Sequence, residues 1–200
     1  MDERNLIMET ALAQNLPLHV CGWLWLAWIF YWVFSAQFTL KTKKNETFAR
    51  LQHTIPTAIG IVTIFNEGRI PELMWGKLYD CAALAWSGVA LTMAGHVFSV
   101  WARVHIGQYW SGTVALKHDH KIVDTGPYRM VRHPIYTGLL ASALGSAMAA
   151  GTMEAFVGLV IMTAGYVVKW KREEKIMLSE FGPAYADYMK RTKVIVPYIY

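Results

Sequence analysis

Residues 16–38 carry no formal charge. A helix needs roughly 20 apolar residues to cross the hydrocarbon core of a bilayer, so this stretch reads as a membrane span. It holds Trp23, Trp25, Trp28, Tyr31 and Trp32, aromatic residues suited to a membrane interface. His19 lies at its outer end. The prefix is acidic (Asp2, Glu3, Glu9) and the run is long, which argues against a secretory signal. Four further stretches follow. Residues 51–65 are short and contain Pro56, whose freed backbone group neighbouring helices can satisfy. Residues 78–104 span with some tilt. Asp80 and Arg103 fall near the ends of this span, where the interface is expected to solvate them. His96 is the ionisable group well inside it, and is expected to be hydrogen-bonded between helices. Residues 135–150 and 153–170 are split at Gly151 and read as a tight helical hairpin. Gly138, Ala141, Ala143, Gly145, Ala147 and Ala149 line its first arm and predict close contact with the second. Glu154 is expected at the far interface. The fold class is therefore an all-α integral membrane protein of five transmembrane helices, with a polar loop and a C-terminal helix on one face.

Composition supports this. The chain is 54% hydrophobic and only 16% charged, where a soluble domain carries about 25%. A disordered chain is excluded, because so much apolar surface collapses. Cys21 and Cys81 are the only cysteines, which excludes a disulfide scaffold and a cysteine-based zinc site. The net charge of +5 suits nucleic acid or an anionic membrane; tryptophans beside long apolar runs favour the membrane. Basic residues cluster at 41–50, between 103 and 133, and after 168. Five spans with the N-terminus outside place all three clusters on the cytoplasmic side. The chain reads as one domain, 1–200, with three helices in 1–100 and the chemistry in 101–200.

Residues 105–136 are polar and rich in His and Arg, yet bounded by spans. Gly126-Pro127-Tyr128 is a turn signal. Pro134 suits the first turn of a helix, whose free amides can take a carboxylate. After the last span comes Lys169-Trp170-Lys171-Arg172-Glu173-Glu174. If the helix continues, Lys169 and Glu173 lie four apart on one face, turned back towards His133 and Tyr136.

Gly126-Pro127-Tyr128-Arg129-Met130-Val131-Arg132-His133-Pro134-Ile135-Tyr136-Thr137-Gly138 resembles the Arg-His-Pro-x-Tyr motif of the isoprenylcysteine carboxyl methyltransferases. Glu173-Glu174, followed by Glu180-Phe181-Gly182, Tyr185 and Tyr188, resembles their tail motif. The resemblance covers about residues 100–195, and phospholipid N-methyltransferases belong to the same superfamily. It implies an S-adenosylmethionine (AdoMet) site, with S-adenosylhomocysteine (AdoHcy) as the product. His120, Lys121, Ile122 and Val123 correspond to the stretch that wraps the adenosine. Tyr128 corresponds to a cofactor-contacting aromatic. His133, Pro134, Ile135 and Tyr136 correspond to the block around the methionine end. Glu173 corresponds to the cofactor-contacting acid, with a catalytic role shared with Lys169. Lys169 stands where well-studied members have Arg, and Lys lacks the planar two-pronged geometry of a guanidinium.

Simpler readings stand beside these. Arg129 and Lys121 also suit anchoring to anionic headgroups, and Arg132 suits an ion pair with Glu174. His118-Asp119-His120 has no further ligand nearby and is not read as a metal site. An ionised carboxylate acceptor needs a cation, for which Lys169 serves, and no general base. An amine acceptor needs a base such as Glu173. The expected partner is a lipophilic acceptor from the bilayer, with membrane lipids around it and no nucleic acid. A nicotinamide-dependent membrane reductase and a non-catalytic scaffold are the alternatives from other classes.

Overall fold

The computed structural model describes residues 3–38, 47–66, 71, 75–110, 122–197 and 199. These form an all-helical, multi-pass membrane protein. Seven α-helices appear among the described residues: α1 Glu3–Ala36, α2 Thr47–Ile64, α3 Ala82–Ile106, α4 Pro127–Met130, α5 Pro134–Ala150, α6 Met153–Phe181 and α7 Pro183–Arg191. Three of them, α1, α3 and α6, contain stretches long and apolar enough to cross a membrane. The apolar helices Leu51–Ile64 and Pro134–Ala150 are shorter. Large apolar side chains face outwards, as a lipid solvent requires: Trp23 is 71% exposed and Phe30 78%.

The helices pair in two couples, α3 with α5 and α2 with α6, and α1 packs mainly on α3. Both couples rest on backbone contact at glycine. A Cβ on Gly95 would lie 2.4 Å from the Gly138 carbonyl, and one on Gly145 2.4 Å from that of Gly88. Gly60 and Gly158 approach in the same way, at 2.6 Å, between α2 and α6. This corrects one expectation: the small stripe of α5 faces α3, not the second arm of its own hairpin. The reason lies in matched spacing. Gly88 and Gly95 are seven residues apart, as are Gly138 and Gly145, so α3 offers α5 a complementary stripe, while the Gly158 approach on α6 is taken by α2. Such contacts let dispersion act over whole helix lengths in lipid.

Indole donors fasten α1. Trp25 Nε1 donates to Ser146 Oγ at 3.0 Å, and Trp28 Nε1 to Ser99 Oγ at 2.8 Å. His96 lies against the same indoles, edge-on to Trp25 at 4.7 Å and stacked on Trp28 at 5.9 Å. Neither of its ring nitrogens has a hydrogen-bond partner among the described residues. The expected interhelical hydrogen bond is thus replaced by aromatic packing, because the α1 positions facing His96 carry indole faces rather than acceptors. Arg103 also departs from expectation: it is buried, not solvated at the interface. Glu154 is buried as well, and the Trp75 amide donates to it at 3.3 Å.

Between α5 and α6, Gly151 takes a left-handed φ of 65° and closes the α5 end by donating to Ala147 O. Leu78 N donates to Gly151 O at 2.8 Å, so the segment before α3 is tied to this turn.

The glycine contacts make a prediction. Gly145→Ala is expected to lower stability by about 1–3 kcal/mol through overpacking. Gly22→Ala, whose Cβ would meet nothing closer than 3.9 Å, is expected to be neutral. Thermal unfolding of both variants in one detergent checks this; equal midpoints would show that the close approach is not limiting.

Candidate active site

At Gly126, φ is 55° and a Cβ would come within 2.6 Å of the His105 ring, so glycine is required on both counts. Pro127 then opens the short helix α4. The chain extends through Val131 and Arg132, and Pro134 starts α5. A strap from the far end of the chain holds this segment in register. Arg132 N donates to Lys193 O at 2.8 Å and His133 N to Val194 O at 3.1 Å. Thr137 Oγ1 donates to Ile195 O at 2.7 Å.

α6 runs unbroken beyond its apolar portion. Tyr166, Lys169, Trp170 and Glu173 follow helical spacing and turn to the start of α5. Tyr136 Oη donates to Glu173 Oε1 at 2.6 Å. His133 Nδ1 lies 3.6 Å from Glu173 Oε2, and Nε2 lies 3.3 Å from Glu174 Oε1. The Lys169 ammonium sits 5.1 Å from the Tyr136 ring centroid. Tyr136 also packs on Tyr166 at 5.0 Å and on His133 at 5.4 Å. Trp170 also stacks on His133, at 6.4 Å. Lys169 is only 9% exposed, so it points into the protein rather than snorkelling to the interface.

Glu174 completes the framework. Arg132 Nε donates to it at 2.6 Å, and Nη1 donates to the Met189 and Thr192 carbonyls. Burial opposes ionisation of Glu174, but hydrogen bonds from His133 and Arg132 outweigh it and hold the carboxyl below its ordinary range. The expected Arg132–Glu174 ion pair is therefore present. Tyr188 Oη donates to Tyr128 O at 2.7 Å and ties α7 to α4. Burial pushes the Tyr128 hydroxyl well up; Tyr188 and Glu173 add to this and Arg103 opposes it.

The structure brings together Tyr128, His133, Pro134, Ile135, Tyr136, Lys169 and Glu173, all but Glu173 buried. Ile122 and Val123 are half-buried, and Val123 packs against the same core. His120, Lys121 and the His118-Asp119-His120 run lie outside the described residues. Among the described residues no group of three or more metal-ligating acids, His or Cys occurs. Sequence reasoning passed over Tyr166 and Trp170, although their helical spacing to Glu173 was visible. It also passed over the strap, whose backbone contacts leave no side-chain pattern.

The chain is similar to known proteins of one kind. The sequence model of the isoprenylcysteine carboxyl methyltransferase (ICMT) family matches residues 88–179. The protein-S-isoprenylcysteine O-methyltransferase of Schizosaccharomyces pombe is 34% identical over 145 residues, covering 68% of this chain and 58% of its own. A probable protein-S-isoprenylcysteine O-methyltransferase of Oryza sativa subsp. indica is 23% identical over 160 residues, covering 78% of this chain and 84% of its own. The Mus musculus protein-S-isoprenylcysteine O-methyltransferase is 24% identical over 152 residues, 74% of this chain and 54% of the mouse protein. The solved eukaryotic intramembrane Ras methyltransferase ICMT shares the fold, with a TM-score of 0.55 at 24% identity over 78% of this chain and 55% of that one. Residues 88–179 thus carry the sequence pattern of the isoprenylcysteine carboxyl methyltransferase family, and the fold is that of the solved ICMT. It spans little more than half the length of the yeast and mouse relatives.

The Glu174 framework predicts an acid limit to stability. Because its folded pKa is depressed, its contribution is present above the ordinary carboxylate range, about 4.3. It is lost as pH falls through the lower folded value. Glu174→Ala, which strands Arg132, is expected to cost roughly 3 kcal/mol near neutral pH and to flatten the acid limb. Unfolding midpoints from pH 3 to pH 7 check both; parallel curves for wild type and variant would refute it.

Proposed function

We propose that this chain is an AdoMet-dependent methyltransferase that esterifies the carboxylate of a lipophilic, membrane-borne acceptor, most simply an isoprenylated cysteine. The observation that carries this is the Tyr136–Glu173 contact at 2.6 Å with Lys169 above the same ring. It joins the two motifs that the family resemblance singles out. The names of the relatives supply the isoprenylcysteine acceptor.

The residues suit the cofactor. A sulfonium is a cation, and Glu173 offers a carboxylate beside the aromatic rings of Tyr136, Tyr166 and Trp170. Bound there, AdoMet supplies an already activated methyl group. In this reading Tyr128, His133, Pro134, Ile135, Tyr136 and Glu173 hold its methionine end. Ile122 and Val123, with His120 and Lys121, hold the adenosine. Lys169 fixes the acceptor carboxylate, which is ionised at neutral pH and needs no base. The protein's task is then alignment and exclusion of water, and alignment alone supplies up to about 7–11 kcal/mol. An amine acceptor gains positive charge on methylation, which the Lys169 ammonium disfavours.

The whole chain, 1–200, works in this reading as one unit that crosses the membrane five times, N-terminus outside and active site cytoplasmic. α2 and α5 have 18 and 17 residues, about 27 and 26 Å at 1.5 Å per residue. A core of about 30 Å accommodates them by local thinning.

Two experiments test this. The protein in lipid nanodiscs, given labelled AdoMet and N-acetyl-S-farnesylcysteine, is expected to form a base-labile methyl ester. Lys169→Met is expected to lose turnover at least ten-fold while AdoHcy affinity stays within two-fold, and Lys169→Arg to keep activity. Label appearing only in amine-bearing lipids of a total extract would overturn the carboxylate reading. For topology, the exposed Cys81 is expected to react with a membrane-impermeant maleimide from outside intact cells. Lys175→Cys in a Cys81→Ser background is expected to react only after permeabilisation. The reverse pattern inverts the topology.

A further inference from the structure

Arg103 is a second buried cation near this site. It stands near the end of α3, 3% exposed. Nη1 donates to Gly107 O at 2.9 Å and Nη2 to Ser35 O at 2.6 Å, the latter at the end of α1. Trp110 covers the guanidinium, its ring centroid 4.6 Å from Cζ. The Nε–H is buried and has no acceptor, and no carboxylate pairs with Arg103 among the described residues. Two carbonyls at helix ends soften the cost of a buried charge but do not neutralise it. A guanidinium stays charged at any physiological pH, so the charge cannot be shed.

The position is next to the chemistry. Ala102, its neighbour on α3, packs in the same core as Tyr128, Tyr136 and Trp170. Tyr128 lies within electrostatic reach of both Arg103 and Glu173. The chain turns away at Gly107, φ 58°, with nothing within 4 Å of where a Cβ would sit, so there is open space beside the Nη1 contact. Resting on the methyltransferase reading, the chemistry involves two carboxylates, one on the methionine end of the cofactor and one on the acceptor. Outside the Arg132–Glu174 pair, Arg103 and Lys169 are the buried Arg and Lys residues among the described residues.

We propose that Arg103 binds a reactant carboxylate, which engages the guanidinium on its Nε edge beneath Trp110. Lys169 then holds the other carboxylate. A side-on, two-pronged contact of this kind is what an arginine provides and a lysine does not.

The test compares wild type, Arg103→Lys and Arg103→Gln in nanodiscs. AdoHcy affinity is measured by calorimetry and the KM for N-acetyl-S-farnesylcysteine by methyl transfer. Arg103→Gln is expected to weaken one of the two at least ten-fold, and Arg103→Lys at least three-fold. A shift in KM alone makes the acceptor the source of the carboxylate; a shift in AdoHcy affinity makes it the cofactor. Both constants within two-fold of wild type, in either variant that folds, would leave the guanidinium as a pin between α1 and α3 and overturn the proposal. Should Gln not fold, Lys decides alone, since it keeps the charge. Wild type that transfers no methyl group refutes the methyltransferase reading itself, an outcome distinct from a wild type that is active and variants that match it.

Discussion

Backbone contact between helices is the constraint on which the remaining structure depends. In lipid no hydrophobic effect drives helices together, so association needs close packing and internal hydrogen bonds. Here Gly88 with Gly145, Gly95 with Gly138, and Gly60 with Gly158 supply that closeness. Two couples follow, α3 with α5 and α2 with α6. Since α5 and α6 are also joined through Gly151, the start of α5 and the continuation of α6 emerge side by side at one end. The site is a consequence of that emergence: His133 and Tyr136 lie at the mouth of α5, and Lys169 and Glu173 lie where α6 leaves its apolar portion.

What closes the site is polar and local. Arg132 and Glu174 form a buried pair whose remaining bonding capacity goes to His133 and to carbonyls at Met189 and Thr192. Removing one member of such a pair strands the other, so the pair works as a lock on geometry more than as a source of net stability. The strap at Lys193, Val194 and Ile195 adds backbone and hydroxyl bonds to the same segment. Glu173 is left for Tyr136 and His133, one residue along the helix from the locked acid. Adjacent acids thus differ in their partners: Glu174 is bound to Arg132 and His133, and Glu173 meets Tyr136 and His133.

Much of this was legible in the sequence because it depends on periodicity. The apolar runs gave the helices, and the four-residue step from Lys169 to Glu173 gave their shared face once the helix was taken to continue. Pro134 marked the start of α5. Other features depend on which distant segments meet, and a single sequence does not encode that openly. Arg103 looked like an interfacial residue by its place in the span; its burial comes from Ser35, Gly107 and Trp110 converging on it. His96 looked like a hydrogen-bonding group, but it lies against indoles whose own donors are committed to Ser146 and Ser99. The small residues of α5 were recognised as a contact stripe and assigned to the wrong neighbour, because adjacency in sequence outweighed the matching seven-residue spacing on α3.

The placement of charge bears on the methyl-transfer reading proposed above. Carboxylates are poor nucleophiles while water solvates them, and an interior that excludes water strengthens every fixed charge left within it. A buried charge is costly unless it is paired and hydrogen-bonded. Lys169 and Arg103 are buried, whereas Lys171, Lys175, Lys190, Arg191 and Lys193 are exposed. On that reading, an amphiphilic acid entering from the bilayer meets this positive charge with its polar end. Its apolar tail stays in lipid, against helix faces that carry outward residues such as Val97 and Val104. On that reading the membrane supplies the affinity for the tail, and the two buried cations are left to recognise the polar end.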